Sequence, residues 1–433
     1  MKLPMRFLLD FVYLIVCILL SPWLVYRLWT AGRRDFALRF GVGLRDSLPS
    51  CIWLHGSSAG EVTVLKPLVA MLERDHSGTP LVISAFTATG LAAARKLYAR
   101  HHVVPLPVDL SFVVARYLRS LNPRLLVVAE SEFWPNLIGC AHARGVPVAL
   151  VNGKMSAKSL RVHARTGLAP RVLASFAVLA VQTEEHAARF RTLGVERARL
   201  HVTGNMKYDL ASPSSDGASG AKLRAALGYT QSDVVIIGGS LHDGEDEALL
   251  GAYAAARERV ADAALVIVPR YPAEADAVER RARERGFAVT RKTAVDAGTA
   301  EAPGRRGVLV VDTVGELSRM YAAADLAFVG GSLFFRGANK GGHNLMEPAI
   351  LGVPVLFGPY NFSFKETVED LLAADAGKLV RDAAELREAV VLLVADREAR
   401  RTLGQRARRV IEAGKGATAR NYALLADFLR VRL

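Results

Sequence analysis

Past residue 50, the chain alternates short runs of apolar residues with longer amphipathic stretches. The apolar runs are rich in Val, Ile and Leu, and polar residues, Gly or Pro follow each of them. Near-continuous apolar strands that alternate with helices are typical of buried parallel sheets. In the first half, the predicted strands are Cys51–His55, Leu81–Phe86, Leu125–Glu130, Val146–Val151 and Ala177–Gln182. In the second half, they are Val234–Gly238, Ala264–Pro269, Val308–Asp312, Leu326–Gly330 and Pro354–Phe357.

One segment interrupts this alternation. Leu210–Gly220 reads LASPSSDGASG, and this small, polar, Pro/Gly-rich composition is typical of linkers. A chain of 433 residues is also too long for one ordinary hydrophobic core. The pattern therefore predicts two doubly wound α/β domains, in whose sheets ligands bind beyond the carboxyl ends of the strands.

The N-terminus is the least globular part of the chain. From Phe7 to Tyr26 nearly all residues are apolar or aromatic, which is enough to span a bilayer core of roughly 30 Å. A cleaved signal peptide is the alternative, but no small-residue cleavage site follows the run. Arginines are more numerous after the run than before it, which places the bulk of the chain in the cytoplasm. We therefore predict an uncleaved anchor, with an in-plane helix as the rival because Asp10 and Pro22 interrupt the run.

The net charge limits which partners the chain can be expected to bind, and the cysteine content indicates its redox compartment and whether a zinc site is present. The net charge is +14, but no recognition-helix or aromatic stacking motif accompanies the basic residues, so we expect no nucleic acid partner. Beside a membrane segment, a basic face suits anionic phospholipid or a phosphorylated lipid, although a solvated basic surface explains many of these charges. Only three cysteines occur, and none belongs to a C-x-x-C pair or a His/Cys cluster with zinc spacing. A reducing compartment is favoured, and no metal is expected.

The first segment with chemical potential is WLHGSSAGE, Trp53–Glu61, which ends a strand and opens a helix predicted to run to about Glu73. Glu61 is a candidate base at this turn. However, Ser58-x-x-Glu61 also fits a capping box that merely satisfies the helix end. The helix dipole would moreover favour the ionised form of Glu61 and weaken it as a base.

The second segment is ESEFWPN, which directly follows a very apolar strand. Glu130 and Glu132 are paired carboxylates at the carboxyl end of that strand. Buried charges need partners, so packing alone explains such a pair poorly. A structural ion pair or a helix cap is the alternative.

Two segments of the second half could bind a phosphate. Arg270 lies just beyond a buried strand, and its planar guanidinium suits phosphate or carboxylate, although a lone arginine is a weak signal. The glycines of GGHNLMEP let the backbone approach a ligand, and a helix that begins near Asn344 would receive a phosphate. Glu347, one turn later, could accept hydrogen bonds from ribose hydroxyls. As structure alone, the glycines form a turn.

Taken together, these segments resemble the 3-deoxy-D-manno-octulosonic acid (Kdo) transferase family of lipopolysaccharide assembly. The matches follow in order along nearly the whole chain. They are LHGSSAGE, ESEFWPN, NGKMS, VTGNMKYD, GGSLHDGEDE, DTVGEL, GGHNLMEP and GPYNFSFKE.

The resemblance implies an α/β fold of the GT-B type, with two facing Rossmann-like doubly wound domains and an N-terminal membrane-anchor helix. It implies an inverting transfer without metal or cofactor, from the cytidine monophosphate ester CMP-Kdo to a lipid A precursor (lipid IVA), on the cytoplasmic side of the inner membrane. The implied parts are an anchor, an acceptor-binding domain, a linker, a nucleotide-sugar domain and a C-terminal helix that packs back on the N-terminal domain. Their bounds are 1–30, 31–209, 210–232, 233–416 and 417–433.

The resemblance also implies roles for single residues. The family's catalytic base is the glutamate that closes the first motif, which here is Glu61. The residues that would contact the donor nucleotide are Pro269, Arg270, Val314, Gly315, Glu316, Asn344, Leu345, Met346 and Glu347. The residues that would support catalysis or bind the acceptor are Ser57, Ser58, Gly60, Glu130, Glu132, Lys154 and Lys207.

Three departures from the family pattern limit these assignments. The usual Arg-His-Pro stands as Arg270-Tyr271-Pro272, the stretch 337–340 is longer than the norm, and Lys154 replaces a frequent arginine, which loses the bidentate fork. Thr313-x-x-Glu316 fits a capping box, so contacts there would come from backbone amides at a helix start. A sugar-nucleotide epimerase of similar architecture and a non-catalytic lipid- or nucleotide-binding module remain alternatives.

Overall fold

The computed structural model describes residues 9–11, 13–15, 18–19, 33–44, 48–211, 217–337 and 341–430. Its contacts divide the chain into two compact units, Met1–Leu210 with Gly414–Leu433, and Ala211–Ala413. The predicted anchor, 1–30, lies largely outside the described residues. Among the helices that the described residues form, none has both the length and the apolar content needed to cross a bilayer.

The N-terminal unit is built on a seven-stranded parallel sheet. Its strands are β1 (Cys51–His55), β2 (Leu81–Ala85), β3 (His102–Pro105), β4 (Pro123–Ala129), β5 (Val148–Gly153), β6 (Val178–Val181) and β7 (Leu200–Val202). They lie in the order β3-β2-β1-β4-β5-β6-β7. The helices between them are α1 (Arg33–Arg39), α2 (Ala59–Val64), α3 (Lys66–Asp75), α4 (Ala88–Leu97), α5 (Ser111–Leu121), α6 (Pro135–Ala143), α7 (Ala157–Thr166), α8 (Ala169–Leu173) and α9 (Glu184–Thr192). Side chains from both faces of the sheet are buried in two apolar clusters.

The C-terminal unit repeats this architecture with a second seven-stranded parallel sheet. Its strands are β8 (Val234–Leu241), β9 (Ala263–Pro269), β10 (Ala288–Arg291), β11 (Gly307–Val310), β12 (Leu326–Val329), β13 (Val355–Phe357) and β14 (Lys378–Leu379). They lie in the order β10-β11-β9-β8-β12-β13-β14. Its helices are α10 (Gly217–Ala226), α11 (Glu245–Arg257), α12 (Ala275–Glu284), α13 (Lys292–Asp296), α14 (Leu317–Met320), α15 (Met346–Ile350), α16 (Lys365–Ala373), α17 (Ala383–Ala395) and α18 (Arg397–Gly414). The predicted fold of two doubly wound parallel sheets is confirmed.

The strands that sequence analysis missed are the edge strands of both sheets, β3, β7, β10 and β14. Each is short and only partly buried; β10, for example, has one exposed and three half-buried residues. An edge strand faces solvent on one side, so it does not need the continuous apolar run that marks a central strand. The ten predicted strands all correspond to the other strands, with ends shifted by a few residues.

The segment predicted from composition to be a linker contains helix α10, while residues 212–216 lie outside the described residues. The Arg224 guanidinium of this helix donates to the carbonyl of Ala323 (2.9 Å) and to the carboxylate of Asp325 (2.8 Å). Gly220 lies so close to Ala322 that a Cβ would be 2.5 Å from its carbonyl oxygen. These contacts fix α10 to the C-terminal unit.

The last helix, α19 (Ala417–Arg430), returns to the N-terminal unit. The Asp209 carboxylate accepts hydrogen bonds from the backbone N–H groups of Gly416 and Thr418, both at 2.6 Å. Leu425 and Leu429 are buried in the same apolar cluster as strand β1. The core of the N-terminal unit is therefore completed by the end of the chain.

Candidate active site

The order of the first sheet reverses between β1 and β4, which lie side by side although they are not consecutive. Such a switch point leaves a crevice beyond the carboxyl ends of the two strands, where α/β sheets bind their ligands. The segment Gly56–Glu61 follows β1, and Glu130–Glu132 follows β4. The topology thus places two motifs that are far apart in sequence at the same crevice.

Glu61 is held at this crevice by one half of the capping box predicted from the sequence: Ser58 caps the helix, but the Glu61 carboxylate reaches the backbone N–H of Ser57 instead of that of Ser58. Ser58 is the N-cap of α2, and its hydroxyl accepts from the Glu61 N–H (3.3 Å) and donates to Glu61 Oε1 (2.9 Å). The Ser57 N–H donates to Glu61 Oε2 (2.8 Å). The prediction of one helix to about Glu73 is wrong: α2 ends at Val64, and α3 begins at Lys66. Pro67 lacks the N–H that a continuous helix would need there.

The environment of Glu61 reverses the expected effect of the helix dipole. Burial of this carboxylate, followed by the negative charge of Glu130, raises the pKa of Glu61, although the hydrogen bonds from Ser57 and Ser58 oppose them. Glu132 contributes in the same direction. The helix dipole alone would leave Glu61 a weak base, and the sequence allowed that a neighbouring carboxylate, Glu130 or Glu132, or desolvation could offset this effect. In the structure, burial and both carboxylates raise the pKa of Glu61 and outweigh the dipole.

Glu130 lies at the end of β4 in a strained backbone conformation. Its φ is +60°, a left-handed value that non-glycine residues rarely adopt and that is often associated with functional sites. Its buried carboxylate contacts the Lys154 ammonium at 2.6 Å, and the backbone N–H of Lys154 donates to the Glu130 carbonyl at 3.3 Å. The structure therefore agrees with the alternative interpretation of this motif as a structural ion pair, and the charge of Glu130 also acts on Glu61.

Glu132 lies beside a buried histidine, His55 of β1. Its Oε2 accepts from the Trp134 indole N–H at 2.8 Å and lies 3.9 Å from His55 Nε2. Burial raises the pKa of Glu132, but the hydrogen bonds from His55, Ser57 and Trp134 and the charge of His55 together lower it. The pKa of Glu61 is therefore raised and that of Glu132 is lowered. Opposite shifts of this kind are expected when only one of two neighbouring carboxylates acts as a base.

The remaining residues predicted for this half differ in how directly they reach the site. Gly60 is exposed on the first turn of α2. Lys207 is half-buried in a short 3-10 helix, Met206–Leu210, that packs against α2. Its backbone N–H donates to the Asn205 side chain (2.9 Å). All the predicted residues of the N-terminal half thus lie on segments that follow the carboxyl ends of strands in the first sheet, as Glu61 does.

The second sheet has its own switch point, between β8 and β12. Pro269 ends the neighbouring strand β9, and Arg270 follows it with its N–H bonded to the carbonyl of Leu241 (2.7 Å). The Arg270 guanidinium is exposed and lies 5.3 Å from the centre of the Tyr271 ring. Tyr271, which replaces the usual histidine of the motif, therefore supports the arginine by a cation–π contact.

Glu245, which lies at the switch point of the second sheet, was not singled out by sequence analysis. Its carboxylate is buried and accepts the backbone N–H groups of His242, Gly331, Ser332 and Leu333 at 2.7–2.9 Å. It thereby joins the loop after β8 to the loop after β12. The signal was available in the acidic segment GEDE after β8, but it reads equally well as an acidic first turn of a helix.

The GGHNLMEP segment could offer a nucleotide its backbone groups and one acidic side chain, Glu347. Asn344 Oδ1 accepts from the Met346 N–H (3.1 Å), and Asn344 Nδ2 donates to Glu347 Oε1 (3.0 Å). Burial raises the pKa of Glu347, against the effect of this hydrogen bond. The side chains of Leu345 and Met346 are buried in the core, so only their backbone is available to a ligand. The predicted helix begins at Met346, two residues after Asn344, and ends at Ile350.

The third predicted contact is the turn Val314-Gly315-Glu316. The Val314 side chain is 84% exposed, and Gly315 has a φ of +91°, which the turn requires. The Thr313 hydroxyl donates to the Glu316 carboxylate, but α14 begins only at Leu317 and has no side-chain cap, so the predicted capping box is wrong. Across the described ranges, no group of three or more His, Cys, Asp or Glu side chains is arranged to hold a metal ion.

Comparison with known proteins identifies the family. A family model described as 3-Deoxy-D-manno-octulosonic-acid transferase (kdotransferase) matches residues 34–210. The chain is 35% identical over 431 residues to a 3-deoxy-D-manno-octulosonic acid transferase of Bordetella pertussis, a match that covers 95% of this chain and 97% of that one. It is 31% identical over 410 residues to the Haemophilus influenzae protein of the same name, covering 92% of each.

A solved structure supports the fold independently. UDP-GlcNAc 2-epimerase from Neisseria meningitidis superposes with a TM-score of 0.56 over 89% of this chain and 100% of that chain, at 12% identity. That likeness shows the fold alone, and the fold is the predicted GT-B type. The sequence relatives go further than the fold: the chain belongs to the 3-deoxy-D-manno-octulosonic acid transferase family of glycosyltransferases.

Proposed function

We propose that this protein transfers Kdo from CMP-Kdo to a lipid A precursor, lipid IVA, in lipopolysaccharide core biosynthesis, with inversion at the anomeric carbon and with Glu61 as general base. The observation that carries the proposal is Glu61 itself. Its carboxylate is fixed by two hydrogen bonds at the switch point of the first sheet, and its pKa is raised by burial and by Glu130. A carboxylate whose proton affinity is increased in this way is better matched to abstract a hydroxyl proton near neutral pH.

In the proposed reaction, the acceptor hydroxyl gives its proton to Glu61 while its oxygen forms the new bond to the anomeric carbon of Kdo. The bond from that carbon to the phosphate oxygen breaks, and its electron pair stays with the phosphate. General base catalysis of this kind contributes roughly 10²–10⁴-fold in rate. Glu130 and Lys154, paired at 2.6 Å, and Lys207 would lie beside the acceptor and orient it.

The C-terminal unit would bind the donor. Arg270 extends into solvent beyond β9, where its guanidinium can pair with the phosphate, and Glu347 can accept hydrogen bonds from the ribose hydroxyls. The turn 314–316, in which Val314 and Gly315 are exposed, and the half-buried Asn344 would complete the nucleotide site. In this proposal the charge of the departing phosphate is stabilised by Arg270 and backbone N–H groups. A resident metal ion or other cofactor is not needed for that task.

The acceptor is a lipid, so the protein would work at a membrane surface. The apolar run within residues 1–30 would anchor it in the inner membrane, with both units on the cytoplasmic side, and the net charge of +14 would favour anionic phospholipid.

The direct test is mass spectrometry of the lipid A precursor after incubation with the protein and freshly generated CMP-Kdo. The expected product is the precursor with Kdo added, in yields that EDTA does not change. The Glu61→Gln protein provides the matched inactive control. A parallel reaction without lipid separates the alternatives: an epimerase would alter the nucleotide sugar there, and a non-catalytic binding module would leave both lipid and nucleotide sugar unchanged in every arm.

A further inference from the structure

Two histidines form a pair at the switch point of the second sheet, in a place that no step of the proposed reaction uses. His242 directly follows β8, and His343 lies in the glycine loop beyond β12. Their ring planes are nearly parallel, with an angle of 11° between them, and the ring centroids are 5.2 Å apart. The two Nε2 atoms are 3.0 Å apart, which is hydrogen-bond distance.

The fold makes room for this pair. A Cβ on Gly331 would lie 2.7 Å from the His343 ring and 3.3 Å from the His242 ring, so a larger residue would displace one of them. The Gly342 N–H donates to the Gly331 carbonyl at 2.7 Å, which holds the His343 loop against β12. Glu245 fixes the backbone of both His242 and Gly331. The pair is thus positioned by the same contacts that shape the crevice.

The distance between the rings determines how many protons they carry. At 3.0 Å one Nε2 donates to the other, so the donating ring, if neutral, has a bare Nδ1. His242 Nδ1 is buried and has no hydrogen-bond partner among the described residues. The pair therefore has one nitrogen that is free to accept a second proton.

The groups around the pair keep that second proton away in the free protein. Burial lowers the pKa of His343 to about 4, with further contributions from His242, Arg270 and Arg336. Burial and Arg336 also lower the pKa of His242, and Glu245 only partly compensates. Tyr271 packs edge-on against His242. Of the charged groups that face the rings, two are guanidinium groups and one is a carboxylate already occupied by four backbone N–H groups.

We propose that His242 and His343 form an imidazole pair that binds the phosphate of CMP, the leaving group of the donor, and takes up a proton as it does so. The proposal rests on the donor assignment given above and adds two binding residues to it. One negative charge about 5 Å from a ring favours its protonated form by roughly 10², at an effective dielectric constant of about 20. The two charges of CMP would thus favour it by about 10⁴, which exceeds the depression of the His343 proton affinity. The imidazolium would face the group that gains charge when the donor bond breaks.

Titration calorimetry of the full-length protein with CMP tests the proposal. The experiment is run at pH 7.5 in two buffers with different heats of ionisation, because the difference in observed heat gives the number of protons exchanged. We expect the protein to take up most of one proton per CMP bound. CMP itself cannot supply this signal, since its phosphate, with a pKa of about 6, is already dianionic and could only release a proton. Cytidine, which lacks the phosphate, should cause no uptake.

His242→Gln and His343→Gln each keep a hydrogen-bonding side chain but remove the titrating group. Each should abolish the uptake and weaken CMP binding by about tenfold, the cost of losing a hydrogen bond to a charged group. His142→Gln, at an exposed position on α6, is the matched control and should behave like the unmodified protein. CMP binding without proton uptake, or uptake that persists in both Gln variants, would overturn the inference and leave the donor assignment intact. A folded protein that does not bind CMP would overturn both.

Discussion

Replacement of Glu61 by glutamine separates a catalytic base from a helix cap. The amide has the shape of the carboxylate and keeps one acceptor oxygen for the Ser57 N–H, while the Ser58 hydroxyl can reverse and accept from the new NH₂ group. Two charge-assisted bonds become neutral ones, at a cost of about 1 kcal/mol, and the repulsion from Glu130 disappears. We therefore expect the free energy of unfolding to change by less than about 1 kcal/mol.

The effect on turnover should be much larger. Glutamine cannot accept the proton of the acceptor hydroxyl, so kcat should fall by about 10²–10⁴, or roughly 3–5 kcal/mol in activation free energy. CMP affinity should not change, because the proposed nucleotide site lies in the other unit. Measured beside the melting temperature, kcat for Kdo transfer distinguishes the two roles. Glu73→Gln, at an exposed position on α3, is the matched control and should retain normal turnover.

The pH dependence provides a second measurement on the same protein. The base works only when ionised, and its pKa is raised, so kcat/KM should rise with pH through a limb above the ordinary carboxyl value of 4.5. That limb should be missing from the residual activity of the glutamine variant. Near-normal turnover in a folded Glu61→Gln protein would refute the assignment, and Glu130 would become the next candidate.

Three further predictions concern the nucleotide site, the buried Glu245 carboxylate and the membrane end. Arg270→Ala and Glu347→Ala should each weaken CMP binding by about 1–3 kcal/mol in calorimetry, and unchanged affinity in both would remove the nucleotide site from the C-terminal unit. Glu245→Ala leaves four backbone N–H groups, three of them buried, without their acceptor, so the free energy of unfolding should fall by at least about 3 kcal/mol. Glu247→Ala, at an exposed position, should lower it by less than about 0.5 kcal/mol. Comparable melting temperatures for the Glu245→Ala and Glu247→Ala proteins would show that the hydrogen bonds to Glu245 do not stabilise the fold. Deletion of 1–30 should leave CMP affinity intact but lower activity on membrane-embedded acceptor; equal activity on membranes would argue against an anchor.

The amino-acid sequence by itself determined the central part of each sheet. A strand covered by helices on both faces needs a continuous apolar run, and the runs around Ile52, Val127, Ile236 and Val266 are of this kind. The edge strands β3, β7, β10 and β14 were not predictable in the same way. Their residues are half-exposed, and their strand conformation follows from pairing with a neighbour that is distant in sequence.

In the candidate site too, some features follow from the local sequence and others only from tertiary contacts. The N-cap bond between the Ser58 hydroxyl and the Glu61 N–H involves residues three apart, so the local sequence was sufficient to predict it. The direction of the Glu61 pKa shift was not local, because burial and the charge of Glu130 from another strand reverse the effect of the helix dipole. Similarly, His242 and His343 are 101 positions apart, and only the parallel pairing of β8 with β12 brings them within 3.0 Å. The sequence thus determines which groups are present, whereas tertiary packing decides which charges face one another and how strongly water screens them.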